Sequence, residues 1–354
     1  MSLYTPSPRS LSSLVFLARH ASSSSSSSPS PTPPPPDFSR LPGARTPKTA
    51  AEKTPRPLRL PSHDAARSAL SHCVELVKKH DNASYLATLL MPKSAQPHIF
   101  ALLAANVEIA LTRDKVSSVS TTAMYRLKFW RDAFAAIYKG DGIVPQQPVA
   151  TALVAFGRSS SFDLLDAMAA ARQRTIGDRP FNSMKDVYAY GRDSTGSLLR
   201  LQMNALREAS GVKKERTKET DEAIDRLAEA HATLTLVRSA GPFTLRRVVL
   251  LPEEILIGEG ITPDNVVSGK NPEKLQAAIK RLVELGSARL LSSRSLRSSI
   301  PRPDRASLWA TAAQCEHVIA TAAAAKYEIR SQLLQRPRPL MAWRLLGWKW
   351  TGAY

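Results

Sequence analysis

Three ionisable side chains stand where helical spacing predicts burial, and they are the residues of this 354-residue chain best placed for chemistry. Glu108 is the acid in the otherwise uncharged stretch 98–112, so burial should raise its pKa unless a base pairs with it. Arg238 and His231 share a helical face with several apolar residues, so both should point inward. Because an unpaired buried guanidinium is costly, we expect Glu108 or Asp114 to pair with Arg238, either structurally or around a ligand pocket.

The chemistry open to His231 depends on its neighbours in the sequence. No second histidine or cysteine follows four residues later, at the spacing that would place two metal ligands on one helical face. A hydrogen-bonded core histidine is therefore favoured over a metal ligand.

The C-terminus combines basic and aromatic residues. After Glu328 the chain contains no acidic residue. Tryptophan beside basic residues is typical of segments that contact the headgroup layer of an anionic membrane, where each charge contributes about 1 kcal/mol. The alternative is a tail packed onto the domain with its tryptophans buried. The candidate membrane-contact residues are Arg338, Trp343, Arg344, Trp348, Lys349 and Trp350.

The formal net charge of +19 favours anionic partners. Nucleic acid is the least favoured, because the sequence has no zinc-finger spacing, RNP-like strand or continuous basic helix. An anionic membrane surface and phosphorylated ligands stay open. Cys73 and Cys315 are too few for a disulfide scaffold or a cysteine zinc site, which favours a reducing compartment.

Helices must position these residues. Only 15 glycines and long Ala/Leu/Arg/Glu/Lys stretches favour helix, and no period-2 strand pattern or fixed repeat is present. No uncharged apolar run reaches the roughly 18 to 20 residues that span a bilayer. The absence of an internal linker indicates one large all-α domain over 61–335. The predicted helices span 64–80, 94–114, 118–139, 149–158, 162–174, 183–208, 217–239, 271–296 and 304–334.

The two ends of the chain have a different character. Residues 1–60 contain a serine run at 22–28 and a proline run at 33–36, and Asp37 is their first acid. This serine-rich, acid-poor composition predicts a disordered organellar transit peptide and linker. Composition leaves mitochondrion and plastid both open, and the alternative is a disordered tail with no targeting role. Residues 336–354 form the basic, Trp-rich tail.

Two short segments carry a family resemblance. Residues 84–92 read SYLATLLMP, and residues 127–131 read LKFWR. They resemble the "FYLASLLLP" signature and the "LxxWR" helix of the squalene/phytoene synthase family, which joins two prenyl diphosphates head to head.

Two further segments follow in the family's order. Tyr190 with residues 194–196 (STG) resembles the family's "Y…AG" segment. Arg238 and residues 247–252 (RVVLLP) resemble the arginine of "TNxxRD" and the later "GRxYLP". The resemblance implies a single large helical domain of isoprenoid-synthase type with a central cavity. The residual cavity should contain Tyr85, Asn106, Glu108, Asp114, Tyr190, His231 and Arg238.

The expected aspartates of that family are largely missing. Its chemistry needs two Asp-rich helix faces that hold magnesium ions against the diphosphates, since magnesium demands oxygen ligands. The first motif should fall at 110–114, where Ala110 and Leu111 replace aspartates and Asp114 remains. The second should follow Arg238, where Ser239 and Phe243 occupy the carboxylate positions.

This pattern resembles a degenerate branch of the family, whose members are assembly factors for mitochondrial respiratory complex I (NADH dehydrogenase) and end in a similar Trp/Arg/Tyr tail. The resemblance implies a pseudoenzyme with no metal and no cofactor. It implies binding to complex I subunits or other assembly factors, with peripheral contact at the matrix side of the inner membrane. The alternatives are an active or residual prenyl-diphosphate transferase and a lipid- or isoprenoid-binding protein.

Overall fold

The computed structural model describes residues 60–114, 120–177, 179–212, 215–336 and 339–354. The predicted transit peptide, up to residue 59, lies outside these ranges, and so does Arg338. The backbone of Asp114 is described but its side chain is not, so its expected place in the cavity stays a prediction.

Every regular element in these ranges is helical, which confirms the all-α prediction. A π-helical turn at Arg192–Gly196 joins the seventh and eighth α-helices. The α-helices are α1 (His63–His80), α2 (Asn82–Leu89), α3 (Gln96–Asp114), α4 (Ser120–Tyr138), α5 (Pro148–Phe156), α6 (Phe162–Arg174), α7 (Met184–Gly191), α8 (Ser197–Ala209), α9 (Lys218–Thr244), α10 (Glu253–Gly258), α11 (Pro263–Ser268), α12 (Pro272–Ser295), α13 (Trp309–Ala324) and α14 (Met341–Thr351).

Side-chain caps define several helix starts. The hydroxyl oxygen of Ser161 accepts from the amide of Leu164 and begins α6 at its predicted position. Ser183 and Asp186 form a capping box at the start of α7. These caps satisfy first-turn amides that have no intrahelical acceptor, so they fix where each helix begins.

Helix α9 is the centre of the core. It packs against α7, α12 and α13 along most of its length. At Gly286 of α12 an added Cβ would lie 2.7 Å from the Cγ of Leu234, so the close approach of these two helices requires glycine. The prediction ended α9 at 239, before Pro242, but a proline near a helix end costs few hydrogen bonds and α9 continues to Thr244.

Two other predicted helices are shorter than expected. The segment 183–208 is divided by the π-helical turn. The segment 304–334 begins with a 3₁₀ turn and its α-helix, α13, ends at Ala324, because Lys326 and Tyr327 adopt positive φ angles of 50° and 62°.

The C-terminal segment contains a helix that the sequence did not predict. Residues 341–351 form α14, which contacts α2 and α13. Gly352, at φ 68°, closes the helix in the left-handed conformation. Among the described residues, no helix is long and apolar enough to cross a membrane.

Candidate functional site

A cavity of about 800 Å³ lies between the C-terminal half of α3 and α9. Residues from the end of α1, α2, α4, the end of α6, the π-helical turn and α13 also line it, and Met341 of α14 contributes at one side. Helices distant in sequence therefore meet around one space.

Four of the predicted cavity residues line this space. They are Asn106, Tyr190, His231 and Arg238. The side chain of Arg238 is exposed at the cavity instead of buried, so it does not need the buried ion pair that the sequence predicted.

Glu108 does not stand among the described lining residues of the cavity, and the pairing of Arg238 with Glu108 or Asp114 stays a prediction. On an α-helix, residues two positions apart project about 200° from each other, and Asn106 already faces the cavity. Glu108 is half-buried on the other side of α3, where its charge adds to burial in raising the pKa of the Cys73 thiol to about 12.

Tyr85 also lies outside the cavity lining. Its ring packs against Phe100, with the two centroids 6.1 Å apart, and the ammonium group of Lys78 stands 6.0 Å from the ring centroid. Tyr85, within the family-like segment 84–92, therefore packs one helix against another in this chain.

The positions expected to carry aspartates do face the cavity. Ala110, Leu111, Ser239 and Phe243 all line it. Among the described lining residues, Asp81 is the one carboxylate, and its oxygen Oδ1 accepts hydrogen bonds from the side chain of Gln314 and the backbone amide of Ser84.

The donor set therefore does not fit magnesium. A bridging magnesium ion needs several oxygen ligands, and carboxylates supply them in sites of this kind. Four cationic side chains line the same space instead: Lys79, Arg172, Arg238 and Arg336. Within the described ranges, no three His, Cys, Asp or Glu side chains come close enough to share a metal ion.

A chain of hydrogen bonds crosses the cavity wall. The Nε2 atom of His231 lies 3.0 Å from the side-chain oxygen of Gln314, whose amide nitrogen donates to Asp81 over 3.0 Å. Because that oxygen can only accept, Nε2 carries the proton and Nδ1 accepts from the hydroxyl of Thr195 over 3.1 Å. His231 is thus a hydrogen-bonded wall residue, as the sequence favoured.

The surroundings of His231 also keep it neutral. Burial has the largest effect and lowers its pKa; the hydrogen bond to Gln314 opposes burial, and the smaller effects of Arg238 and Arg172 lower the pKa while that of Asp81 raises it. The imidazole therefore orients neighbouring side chains at neutral pH without adding charge to the cavity.

Sequence reasoning missed Arg172 and Gln314. The guanidinium of Arg172 donates to the side-chain oxygen of Asn106 over 2.7 Å, between residues 66 positions apart. Gln314 stands in an alanine-rich helix whose composition carries no functional signal. Their roles depend on which helices pack together, so no local pattern could have identified them.

The candidate membrane-contact residues divide into two groups. Trp348 is 8% exposed, and Arg344, which forms an ion pair with Glu316, stands 5.1 Å from its ring centroid, so both are engaged with the domain. Trp343 and Trp350 are 70% and 75% exposed, and Lys349 is exposed beside them.

Comparison with known proteins places this geometry in context. The profile of the squalene/phytoene synthase family matches residues 77–344, about three quarters of the chain. A protein of Mus musculus named "NADH dehydrogenase (ubiquinone) complex I, assembly factor 6" is 28% identical over 232 residues, which cover 65% of this chain and 67% of that protein. The Drosophila melanogaster homolog is 28% identical over 253 residues, which cover 70% and 73%.

Solved structures give the same architecture. A dehydrosqualene synthase in complex with ligand superposes with a TM-score of 0.66 at 16% identity, covering 81% of this chain and 97% of that chain. Squalene synthase HpnC from Alicyclobacillus acidocaldarius gives 0.62 at 16% identity, covering 75% and 97%. Identities this low show the fold alone. The superpositions confirm the predicted helical domain of isoprenoid-synthase type.

Proposed function

Because this chain belongs to the squalene/phytoene synthase family, we propose that it is a member that is non-catalytic toward prenyl diphosphates and serves as an assembly factor for mitochondrial respiratory complex I. The observation that carries the non-catalytic part is the cavity wall, where Ala110, Leu111, Ser239 and Phe243 stand at the positions expected to hold magnesium-binding carboxylates. Without those ligands, the ionisation of a prenyl diphosphate lacks its electrophile.

The assembly role is supported by the relatives. Proteins from a mouse and a fly that are each 28% identical to this chain bear the name of a complex I assembly factor. In this role the chain binds complex I subunits or other assembly factors in the mitochondrion, and its basic surface suits an anionic partner or membrane.

The exposed face of α14 supports peripheral contact with the inner membrane. Leu340, Trp343 and Trp350 are 72%, 70% and 75% exposed. Lys349 lies beside them, and Arg302 contacts the end of the helix by donating to the carbonyl oxygen of Thr351. Exposed tryptophans with neighbouring cations suit the headgroup region of a bilayer with anionic lipids.

The experiment that tests the non-catalytic role is pyrophosphate release. The purified chain is incubated with magnesium and farnesyl or geranylgeranyl diphosphate, with a bacterial dehydrosqualene synthase as the positive control. We expect no magnesium-dependent release above the protein-free rate. Sustained turnover by this chain would overturn the proposal.

A second experiment tests partner binding. The tagged chain, expressed in cells and cross-linked, should recover complex I subunits or assembly factors that mass spectrometry identifies. Recovery of prenyl-metabolism enzymes in their place would contradict the assembly role.

A second function, binding of an isoprenoid or anionic lipid without chemistry, is favoured by one observation. The cavity combines the cations Arg172 and Arg238 with the apolar side chains of Phe181, Leu236 and Phe243. Lipid extraction of the protein purified from mitochondria, followed by mass spectrometry, tests this function: a stoichiometric lipid supports it, and a lipid-free protein contradicts it.

A further inference from the structure

A second cavity lies at the opposite end of α3 from the one described above. Its volume is about 720 Å³, and its walls come from the start of α3, the loop between α5 and α6, and the end of α8. His98 lies on α3 eight residues before Asn106, so about 12 Å of helix separates the two spaces. None of the family-like segments contributes to this second cavity.

Three side chains of this cavity are arranged as a nucleophile, a base and a carboxylate. The Oγ atom of Ser160 lies 2.8 Å from Nε2 of His98. The other ring nitrogen, Nδ1, lies 3.6 Å from Oε2 of Glu208. His98 is 8% exposed and Ser160 is half-buried, whereas the carboxylate of Glu208 is more than half exposed. A hydroxyl, an imidazole and a carboxylate in this order activate nucleophiles in unrelated folds, and such contacts are often looser without substrate.

The protonation state suits a general base. Burial lowers the pKa of His98, and the charge of Glu208 opposes that effect only in part, so the imidazole is neutral at pH 7. The Ser160 hydroxyl then donates to Nε2 while Nδ1 carries its proton toward Glu208. Tyr138 also faces this loop: its hydroxyl donates to the carbonyl oxygen of Gly157 over 2.9 Å, and its oxygen is a second hydrogen-bond partner of the Ser160 hydroxyl, in competition with Nε2. The other charged groups that line the cavity are Arg207, Glu215, Arg216 and Asp221.

The neighbouring serine provides an internal contrast. The hydroxyl of Ser159 donates to Glu208 over 2.5 Å, and no contact with His98 is present among its described hydrogen bonds. Ser160 therefore contacts the imidazole, whereas Ser159 contacts the carboxylate. Helix α6 begins two residues later at Phe162. Since Ser161 already accepts from the amide of Leu164, the first-turn amides near Ser160 that could stabilise an oxyanion are those of Phe162 and Asp163.

We propose that Ser160 is a nucleophile activated by His98, with Glu208 as the positioning residue, and that this second cavity hydrolyses small esters. Ser160 Oγ attacks the ester carbonyl carbon while its proton passes to Nε2 of His98. The bond from that carbon to the leaving oxygen then breaks, and His98 protonates the departing alcohol. Water attacks the acyl-serine with His98 as base, and the released acid leaves Ser160 protonated.

The cavity lining indicates the substrate class. The two arginines of the lining, Arg207 and Arg216, already form ion pairs. Arg207 lies 2.8 Å from Asp304 and Arg216 lies 3.0 Å from Asp221. Three carboxylates, those of Glu208, Glu215 and Asp221, line the same cavity. Their negative charges would repel an anionic acyl group, so such a substrate is disfavoured. Leu201 and Val212 offer apolar contact, and a short, uncharged acyl ester is the substrate that fits.

Labelling by a fluorophosphonate and turnover of p-nitrophenyl butyrate test this proposal on the full chain. We expect labelling of one peptide at Ser160, abolished in Ser160→Ala and retained in Ser159→Ala. His98→Gln should slow labelling at least about 100-fold, the range by which a general base accelerates such steps. Thermal unfolding of each variant, compared with wild type, separates loss of reactivity from loss of fold.

The pH profile tests the role of Glu208. Because its charge raises the pKa of His98, Glu208→Gln should move the acid limb of the labelling rate to lower pH. A purely structural role for Glu208 would leave that limb in place. Labelling of wild type no faster than that of the unfolded chain, or equal labelling of Ser160→Ala, would overturn the proposal. The outcome is independent of any role in complex I assembly.

Discussion

Individual side chains decide what the larger cavity can do. Magnesium-dependent chemistry on a diphosphate needs several converging carboxylates, and the described lining offers Asp81 alone. That carboxylate already accepts from Gln314 and from the amide of Ser84. The charge of the cavity is thus reversed relative to a metal site, which is why we propose binding without catalysis.

Four of the seven residues that the sequence predicted for this cavity line it. Asn106, Tyr190, His231 and Arg238 could be placed there from the family resemblance and helical spacing. Glu108 could not be excluded from the predicted cavity lining. Its helix is apolar on all sides, so the sequence does not show which face meets the cavity and which meets a neighbouring helix.

Glu229 gives a stability prediction at this scale. Its side chain is 2% exposed and lies 2.5 Å from Arg192, 3.4 Å from Arg226 and 3.4 Å from Arg289. Glu229→Gln removes the negative charge that holds three guanidinium groups together. The free energy of unfolding should therefore fall by about 2 to 3 kcal/mol. This loss is smaller than for a fully buried pair because the arginines are partly exposed. Urea denaturation measures the change.

Glu222 is the matched control. It also pairs with Arg226, at 3.1 Å, but its side chain is 52% exposed. Glu222→Gln should therefore cost no more than about 0.5 kcal/mol. Equal losses in the two variants would show that burial of Glu229 does not govern the strength of the cluster.

The two cysteines give a reactivity prediction. Burial, with a smaller effect of Glu108, raises the pKa of Cys73 to about 12, and burial raises that of Cys315 as well. Both side chains are at most 1% exposed. At pH 8 neither thiol should react with iodoacetamide in the folded protein, whereas both should react in guanidinium chloride. A thiol that reacts at the same rate in the folded and unfolded protein would contradict this burial.

Helices are the elements that the sequence predicted best. The bounds of α6 agree with the prediction, because its cap Ser161 is a local signal. The division of 183–208 by a π-helical turn was not predicted, although Gly191 and Gly196 border the turn, because its form depends on packing against α9. That turn places Thr195 against His231, so the unpredicted feature shapes the cavity.

Helix α14 carries a prediction about membranes. Co-sedimentation with cardiolipin-containing vesicles should weaken severalfold in a Trp343→Ala/Trp350→Ala variant, because these exposed rings insert between headgroups. High salt should remove only part of the wild-type binding, since it screens charges beyond about 10 Å at 0.1 M but not apolar insertion.

Trp348 separates membrane contact from folding. Its ring is 8% exposed, so Trp348→Ala should lower the free energy of unfolding by about 3 kcal/mol or more and leave vesicle binding of the folded protein unchanged. Substitution is a sharper test than deletion of 337–354, which would also remove the buried Leu345 and Tyr354. Undiminished binding by the exposed double variant would assign membrane contact to another surface.

At the scale of the whole molecule, the chain combines the helical fold of the synthases with a cavity whose described lining carries a single carboxylate. The family profile and the superposed synthases fix the architecture, whereas the cavity lining departs from metal chemistry. The family match and the superpositions therefore establish the fold, whereas the side chains of the cavity determine its chemistry. The formal charge of +19 favours anionic surroundings without specifying the partner, so partner identity is the part of the function that sequence and fold leave to experiment.

The assembly role is tested by the amount of assembled complex I in cells that lack this protein. Mitochondria from such cells are resolved on native gels and stained for NADH dehydrogenase activity, with respiratory complexes II and IV as internal controls. We expect a marked loss of complex I alone, restored by expression of the intact chain. Normal complex I in the absence of this protein would show that the chain is not an assembly factor for it.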